Sequence, residues 1–215
     1  LFLAGQAHSF VISHLYDLKL ALSTQILLFI AFYKLGDAMA LALMTTFLLK
    51  GLGFTLTEIG VAYKVVSIVA IISGGFVGGM YLTRWSLPKA LVVFGIAQAL
   101  SNLLFALLAG VGKNFLLMMT AIFVENFCSG LSTAALLAFM MGLCHHQFTA
   151  SQFALLSTFA SLGRVYLGPA AALLVAHIGW LNFFVMTAVI CIPGIVLVGW
   201  IKEKVSTHDT PLPVV

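Results

Sequence analysis

Residues 30–43 read IAFYKLGDAMALAL, an apolar helical run with Lys34 and Asp37 in its middle. In a membrane helix an ionisable side chain costs at least ~2.5–3.5 kcal/mol, and it faces a bundle interior or a partner. What surrounds the run decides which kind of helix this is. The 215-residue chain is 62% hydrophobic and 7% charged, where a soluble domain carries about 25% charged residues. Long apolar stretches of this kind belong to a protein that crosses the lipid bilayer. Ten Lys and Arg stand against six Asp and Glu, without a basic cluster. The small surplus reads as loop charge, and no nucleic-acid partner is expected.

Cys128, Cys144 and Cys191 lie far apart in apolar surroundings. They have neither the pairing of a metal site nor the density of a disulfide scaffold, and read as buried free thiols. The chain begins at Leu1 with no signal-peptide layout, which reads as a piece of a longer polypeptide.

A spanning helix needs about 20 mostly apolar residues. Six segments qualify: 23–49, 57–82, 88–109, 115–143, 152–176 and 181–201. Glycines and polar tips separate them, as expected of turns. Six spans put both termini on one side. Lys19, Arg84, Lys89, Lys202 and Lys204 share that side, opposite Lys50 and Lys113, so the positive-inside rule makes it cytoplasmic. Residues 1–22 read as the end of a cytoplasmic linker or a short surface helix. Residues 23–201 form the six-helix unit, and 202–215, with Pro211 and Pro213, read as a disordered cytoplasmic tail.

Five charges fall deep within spans: Lys34, Asp37, Lys64, Glu125 and Arg164. Residues three, four and seven apart share a helix face. Lys34, Asp37 and Thr45 therefore align on the first span, and Lys64, Ser67, Gly75 and Gly78 on the second. Glu125, Ser129 and Ser132 align on the fourth, and Ser157, Ser161 and Arg164 on the fifth. The third span offers only neutral Gln98, Ser101 and Asn102, and the sixth only Asn182 and Thr187. Four charged helices around a polar interior, with the third and sixth outermost, account for this. The order charged, charged, plain occurs twice and suggests a three-plus-three repeat like those within transporter halves. Lys34 and Asp37 lie about 60° apart on the helix and can form a self-neutralising structural pair. Three further charges on three other helices favour a water-filled polar pathway instead.

Other features carry less. His145-His146 point apart on a helix and read as a solvated loop, not as metal ligands. Gly74-Gly75 and Gly78-Gly79 fit close helix packing, and Gly168-Pro169 and Pro193-Gly194 read as kinks. There is no phosphate-cradling glycine loop, no GxSxG elbow and no HExxH, so neither an enzyme nor a resident cofactor or metal is expected.

Tyr33-Lys34-Leu35-Gly36-Asp37 followed by Thr45-Thr46-Phe47-Leu48 resembles the seventh helix of the AmpG-type anhydromuropeptide permeases. The same holds for Phe123-Val124-Glu125-Asn126 with Gly130, for Gln152-Phe153-Ala154-Leu155-Leu156-Ser157, and for Gly163-Arg164-Val165-Tyr166-Leu167-Gly168-Pro169. The similarity covers residues 23–201. It implies the major facilitator superfamily, an all-α membrane protein, and its C-terminal six-helix half, with an N-terminal half as missing partner. Gly79 to Arg84 is similar to the superfamily's cytoplasmic signature in degraded form, with Thr83 where an Asp is usual.

The resemblance also implies proton-driven import of GlcNAc-1,6-anhydro-MurNAc peptides across the bacterial inner membrane for peptidoglycan recycling. In some bacteria that flux controls β-lactamase induction. Asp37 and Glu125 are then the candidate proton carriers, since a buried carboxyl group responds to its surroundings. Lys34 is the built-in counter-ion. Lys64 and Arg164, with Tyr33, Asn126 and Gln152, are candidates for substrate contact or for the charge network. A transporter of another anion, such as an acyl-coenzyme A, is the alternative, and so is a membrane module whose polar network only holds helices together.

Overall fold

The computed structural model describes residues 28–143 and 149–206, with side chains placed over 28–142 (Val61 apart) and 167–199. Every regular element among the described residues is helical. Helix α1 is Leu28–Gly51, α2 is Leu56–Leu82 and α3 is Leu87–Val111. Helix α4 is Phe115–Leu143. A continuous helical stretch then runs from Thr149 to Ser206, but Gly179 within it has φ 77° and ψ 169°. Those angles are open to glycine and strained for other residues, and they divide the stretch into α5, 149–178, and α6, 180–206. The sequence places the turn between its fifth and sixth spans at the same point.

By length and apolarity, five stretches among the described residues can cross a membrane, the last being Leu167–Gly199 across the Gly179 break. The predicted linker 1–22 and the histidine pair 145–146 lie outside the described residues. Helical backbone continues through 202–206, and 207–215 lie outside the description. The fold is that of an all-α multi-pass membrane protein.

The helices run up and down. Tyr33 of α1 meets Leu91 and Gly95 of α3, and Asp37 one turn on meets Gln98, so these two are parallel. Helix α6 opposes both: Phe47 packs on Trp180 and Phe184, whereas Gly194 lies against Tyr33. Helix α4 opposes α1, with Phe29 on Phe139 and Lys34 on Ser132. Helices α2 and α4 are parallel and touch through Gly74 against Phe127 and Gly130 against Ile71.

Of the loop charges, Lys113 lies at one end of the bundle and Arg84 and Lys89 at the other, as the sequence predicts for these three. At one end Lys113 bonds the Gly53 carbonyl at 3.1 Å, pairs with Glu58 at 3.4 Å and lies over Phe54. Thr55 and Glu58 cap α2 there reciprocally, which satisfies two amides that a helix start leaves open. At the other end Arg84 sits in the turn after α2, and Lys89 lies 4.8 Å over the Trp85 ring.

Two apolar layers fill the bundle. One gathers Phe47, Phe105, Met118, Phe183 and Phe184 toward the Trp180 end. The other gathers Phe29, Tyr33, Leu91, Phe94, Leu131 and Met140 toward the Arg84 end. Gly179 has the one non-helical φ/ψ within 149–206, and both Pro169 and Pro193 stay inside helix. Gly194 lies close against α1, where an added Cβ would be 2.8 Å from the Tyr33 Cα.

Candidate functional site

Between the two apolar layers lies a polar one. Asp37, Gln98, Ser101, Asn102, Glu125, Ser132 and Thr187 are all buried there. Lys34 and Asp37 face the interior one turn apart on α1, and the Lys34 ammonium lies 3.2 Å from Asp37 Oδ2. The same ammonium donates to Ser132 Oγ on α4 at 3.0 Å. Gln98 Nε2 on α3 donates to Asp37 Oδ1 at 3.1 Å, and Ser132 Oγ reaches Gln98 Oε1 at 3.5 Å. Three helices are thus joined in a closed ring of acid, amide, hydroxyl and ammonium.

Glu125 on α4 completes the site. Its carboxyl lies within reach of those of Asp37 and the Gln98 amide, and its Oε1 is buried without a hydrogen-bond partner. Asn102, one turn beyond Gln98 on α3, has both amide atoms buried and unpartnered. A buried polar group without a partner costs roughly 1–3 kcal/mol, so a native protein keeps one where something else uses it.

The predicted residues therefore separate. Lys34, Asp37 and Glu125 come together. Tyr33 adjoins them in sequence, but its hydroxyl donates to the Leu91 carbonyl at 3.0 Å and ties α1 to α3. We expect Tyr33→Phe to lower unfolding stability by about 1 kcal/mol, the value of one such bond, and to leave transport intact; thermal unfolding and uptake of the same variant check both. Asn126 bonds back to the Ile122 carbonyl of its own helix at 2.8 Å. Gln152 and Arg164 lie on α5, and their side chains are outside the described ones.

Lys64 is exposed on α2 and lines an open groove of about 440 Å³ with Leu56, Thr57, Gly60 and Val65. The stripe drawn from 3.6-residue spacing joined Lys64 to Ser67, but Ala62–Ser67 is a π turn. Its extra residue per turn carries Lys64 further round the helix than an α-helix would. The third helix also departs from expectation. It supplies Gln98 to the centre of the network, while α2 is the least buried of the five spans. A neutral amide among apolar residues was the available signal, and counting charges passed over it.

A buried ring of acid, amide, hydroxyl and ammonium inside an up-and-down bundle of apolar helices marks a multi-pass membrane protein with a polar interior. The chain belongs to the Major Facilitator Superfamily, whose family model matches residues 26–214. It is 45% identical over 172 residues to the anhydromuropeptide permease of Escherichia coli K12, covering 80% of this chain and 35% of that protein. It is 35% identical over 188 residues to the putative transporter AmpG 4 of Rickettsia conorii, covering 87% of this chain and 45% of the relative. Against the putative transporter AmpG 1 of Rickettsia prowazekii it is 34% identical over 181 residues, covering 84% and 41%. These relatives are named as permeases and transporters, not enzymes, and the chain spans between a third and a half of their length.

Proposed function

We propose that this chain is the C-terminal half of a proton-coupled permease that imports anhydromuropeptides across the bacterial inner membrane, for cell-wall recycling. The observation that carries the coupling is Glu125: a buried carboxyl facing Asp37, while the Lys34 ammonium is already committed to Asp37 and Ser132. Like charges about 4 Å apart repel by roughly 4 kcal/mol at the effective dielectric of a protein. Two carboxylates beside one ammonium are relieved when the acid pair holds a single proton. Loading that proton leaves Lys34 with Asp37. Releasing it gives Lys34 two carboxylates to serve, one on α1 and one on α4. The proton thus biases how these helices sit against each other, which is what a transporter that alternates between two states requires.

The substrate reading rests on the similarity to the Escherichia coli permease and on Lys64, exposed beside an open groove and without an ion-pair partner among the described residues. A sugar bearing a carboxylate-rich peptide suits such a cation. The basic end with Arg84 and Lys89 is assigned to the cytoplasm by the positive-inside rule.

The test is uptake of labelled anhydromuropeptide by cells lacking their own permease, expressing this chain alone or joined to a matching N-terminal half. We expect uptake that an uncoupler abolishes in the joined form. No uptake in either form, with membrane insertion demonstrated, would overturn the substrate assignment.

A further inference from the structure

The hydrogen bonds around Asp37 all run one way. Lys34 Nζ donates to its Oδ2 at 3.2 Å, and Gln98 Nε2 donates to its Oδ1 at 3.1 Å. An ammonium has three donors and no acceptor, and an amide nitrogen only donates. Neither contact leaves room for a hydrogen carried by Asp37 itself. Turned end for end, the Gln98 amide would set its Oε1 against Asp37, and that contact needs a proton on the acid. The ammonium decides between the two arrangements. With a proton on Asp37, Lys34 would lose the carboxylate it touches, and breaking a buried ion pair is costly. The far end of the amide is consistent with the first arrangement. Ser132 Oγ accepts from Lys34 at 3.0 Å, and its own hydrogen has the Ser129 carbonyl at 3.2 Å and Gln98 Oε1 at 3.5 Å in reach. Glu125 differs: it is buried, and its Oε1 has no hydrogen-bond partner. An unused carboxyl oxygen can take a hydrogen without displacing a bond already made.

We propose that Gln98 is a positioning residue which, with Lys34, keeps Asp37 a permanent anion, so that the transported proton travels on Glu125 alone. The proposal rests on the proton-coupled reading above and assigns the proton within it. Glu125 gains one O–H bond when water on one side of the membrane delivers a proton, and loses that bond to water on the other side. Asp37 keeps both of its accepted hydrogen bonds throughout. Among the described residues, the titratable groups around Asp37 are Lys34 and Tyr33 on α1, Glu125 on α4 and Cys191 on α6. Of these only Lys34 is a cation, and Tyr33 already donates its hydroxyl hydrogen to Leu91. Helix α3 contributes the neutral Gln98, whose donation favours the charged form of the acid it touches.

The experiment uses the intact permease containing this chain, with labelled anhydromuropeptide as probe. Uncoupler-sensitive uptake needs net proton movement, whereas exchange of labelled for unlabelled substrate at equal concentrations does not. Glu125→Gln imitates a carboxyl group that never releases its proton. It is expected to slow uptake about tenfold or more, within the range of a lost proton-transfer group, and to keep exchange at the wild-type rate. Asp37→Asn removes an anion that the ring needs in every state, and loses both. The positioning role is read in the infrared spectrum of the purified permease carrying isotopically labelled aspartate. The wild type shows no protonated-carboxyl band that Asp37→Glu removes. Gln98→Met, which keeps the side chain's length without its donor, brings such a band up. Exchange retained in Asp37→Asn, or lost in Glu125→Gln, overturns the assignment of the proton. An unchanged spectrum in Gln98→Met, or an Asp37 band in the wild type, overturns the role of Gln98. Those results leave the coupling reading standing, whereas wild-type uptake that ignores the uncoupler overturns the coupling reading itself.

Discussion

Lys34→Ala is expected to abolish proton-driven uptake and to destabilise the bundle by about 3–5 kcal/mol, the cost of leaving one member of a buried ion pair alone. Asp37 is 1% exposed and would keep only the Gln98 amide of its two partners. Ser132 would lose the ammonium as well. The decisive comparison is with Lys34→Ala combined with Asp37→Ala. Removing both charges leaves no uncompensated ion, so stability should return to within about 1 kcal/mol of the wild type, as replaced buried pairs often do. Uptake should not return. A pair that merely holds helices together would recover both properties in the double variant. Thermal unfolding in detergent and uptake in cells, measured on the same three proteins, separate the two roles.

Gly74→Ala is expected to destabilise the protein by about 1–3 kcal/mol, the usual range for overpacking. Gly75→Ala next to it should be neutral or mildly stabilising. A Cβ at Gly74 would run into the Phe127 backbone carbonyl, which cannot turn aside as a side chain would. The partner glycine is as constrained: a Cβ on Gly130 would lie 2.5 Å from the Ile71 carbonyl oxygen and 2.8 Å from the Gly75 nitrogen. A Cβ on Gly75 or Gly79 meets open space, and alanine is the better helix former by roughly 0.8–1 kcal/mol. Thermal unfolding of the four single variants in one detergent checks the pattern. Equal losses at Gly74 and Gly75 would mean that the α2–α4 crossing is not as close as described.

The membrane class was legible because it depends on composition and span length, which the bilayer imposes on the chain directly. The turn at Gly179 was legible for a similar reason: glycine tolerates the positive φ that divides α5 from α6. The pairing of Lys34 with Asp37 needed only helical spacing. The division into charged and plain helices fared less well. Charge is easy to count along a sequence, but an amide such as Gln98 joins a network through whichever helix packs beside it. Likewise the glycine pairs of α2 looked equivalent until the approach of α4 chose Gly74 and Gly78 over Gly75 and Gly79.

By itself, the sequence determined that this protein is a bundle of membrane helices, where the chain turns, and that Lys34, Asp37 and Glu125 had to face away from lipid. Each follows from a local property: apolarity, backbone freedom, or the cost of a charge in hydrocarbon. Tertiary structure alone decided that Gln98 and Ser132 close the ring around Asp37, and that Glu125 faces Asp37 across two helices. It also decided that a π turn sends Lys64 outward. Those outcomes depend on how helices far apart in sequence are registered and on one extra residue in a single turn, and no spacing rule within one helix contains either.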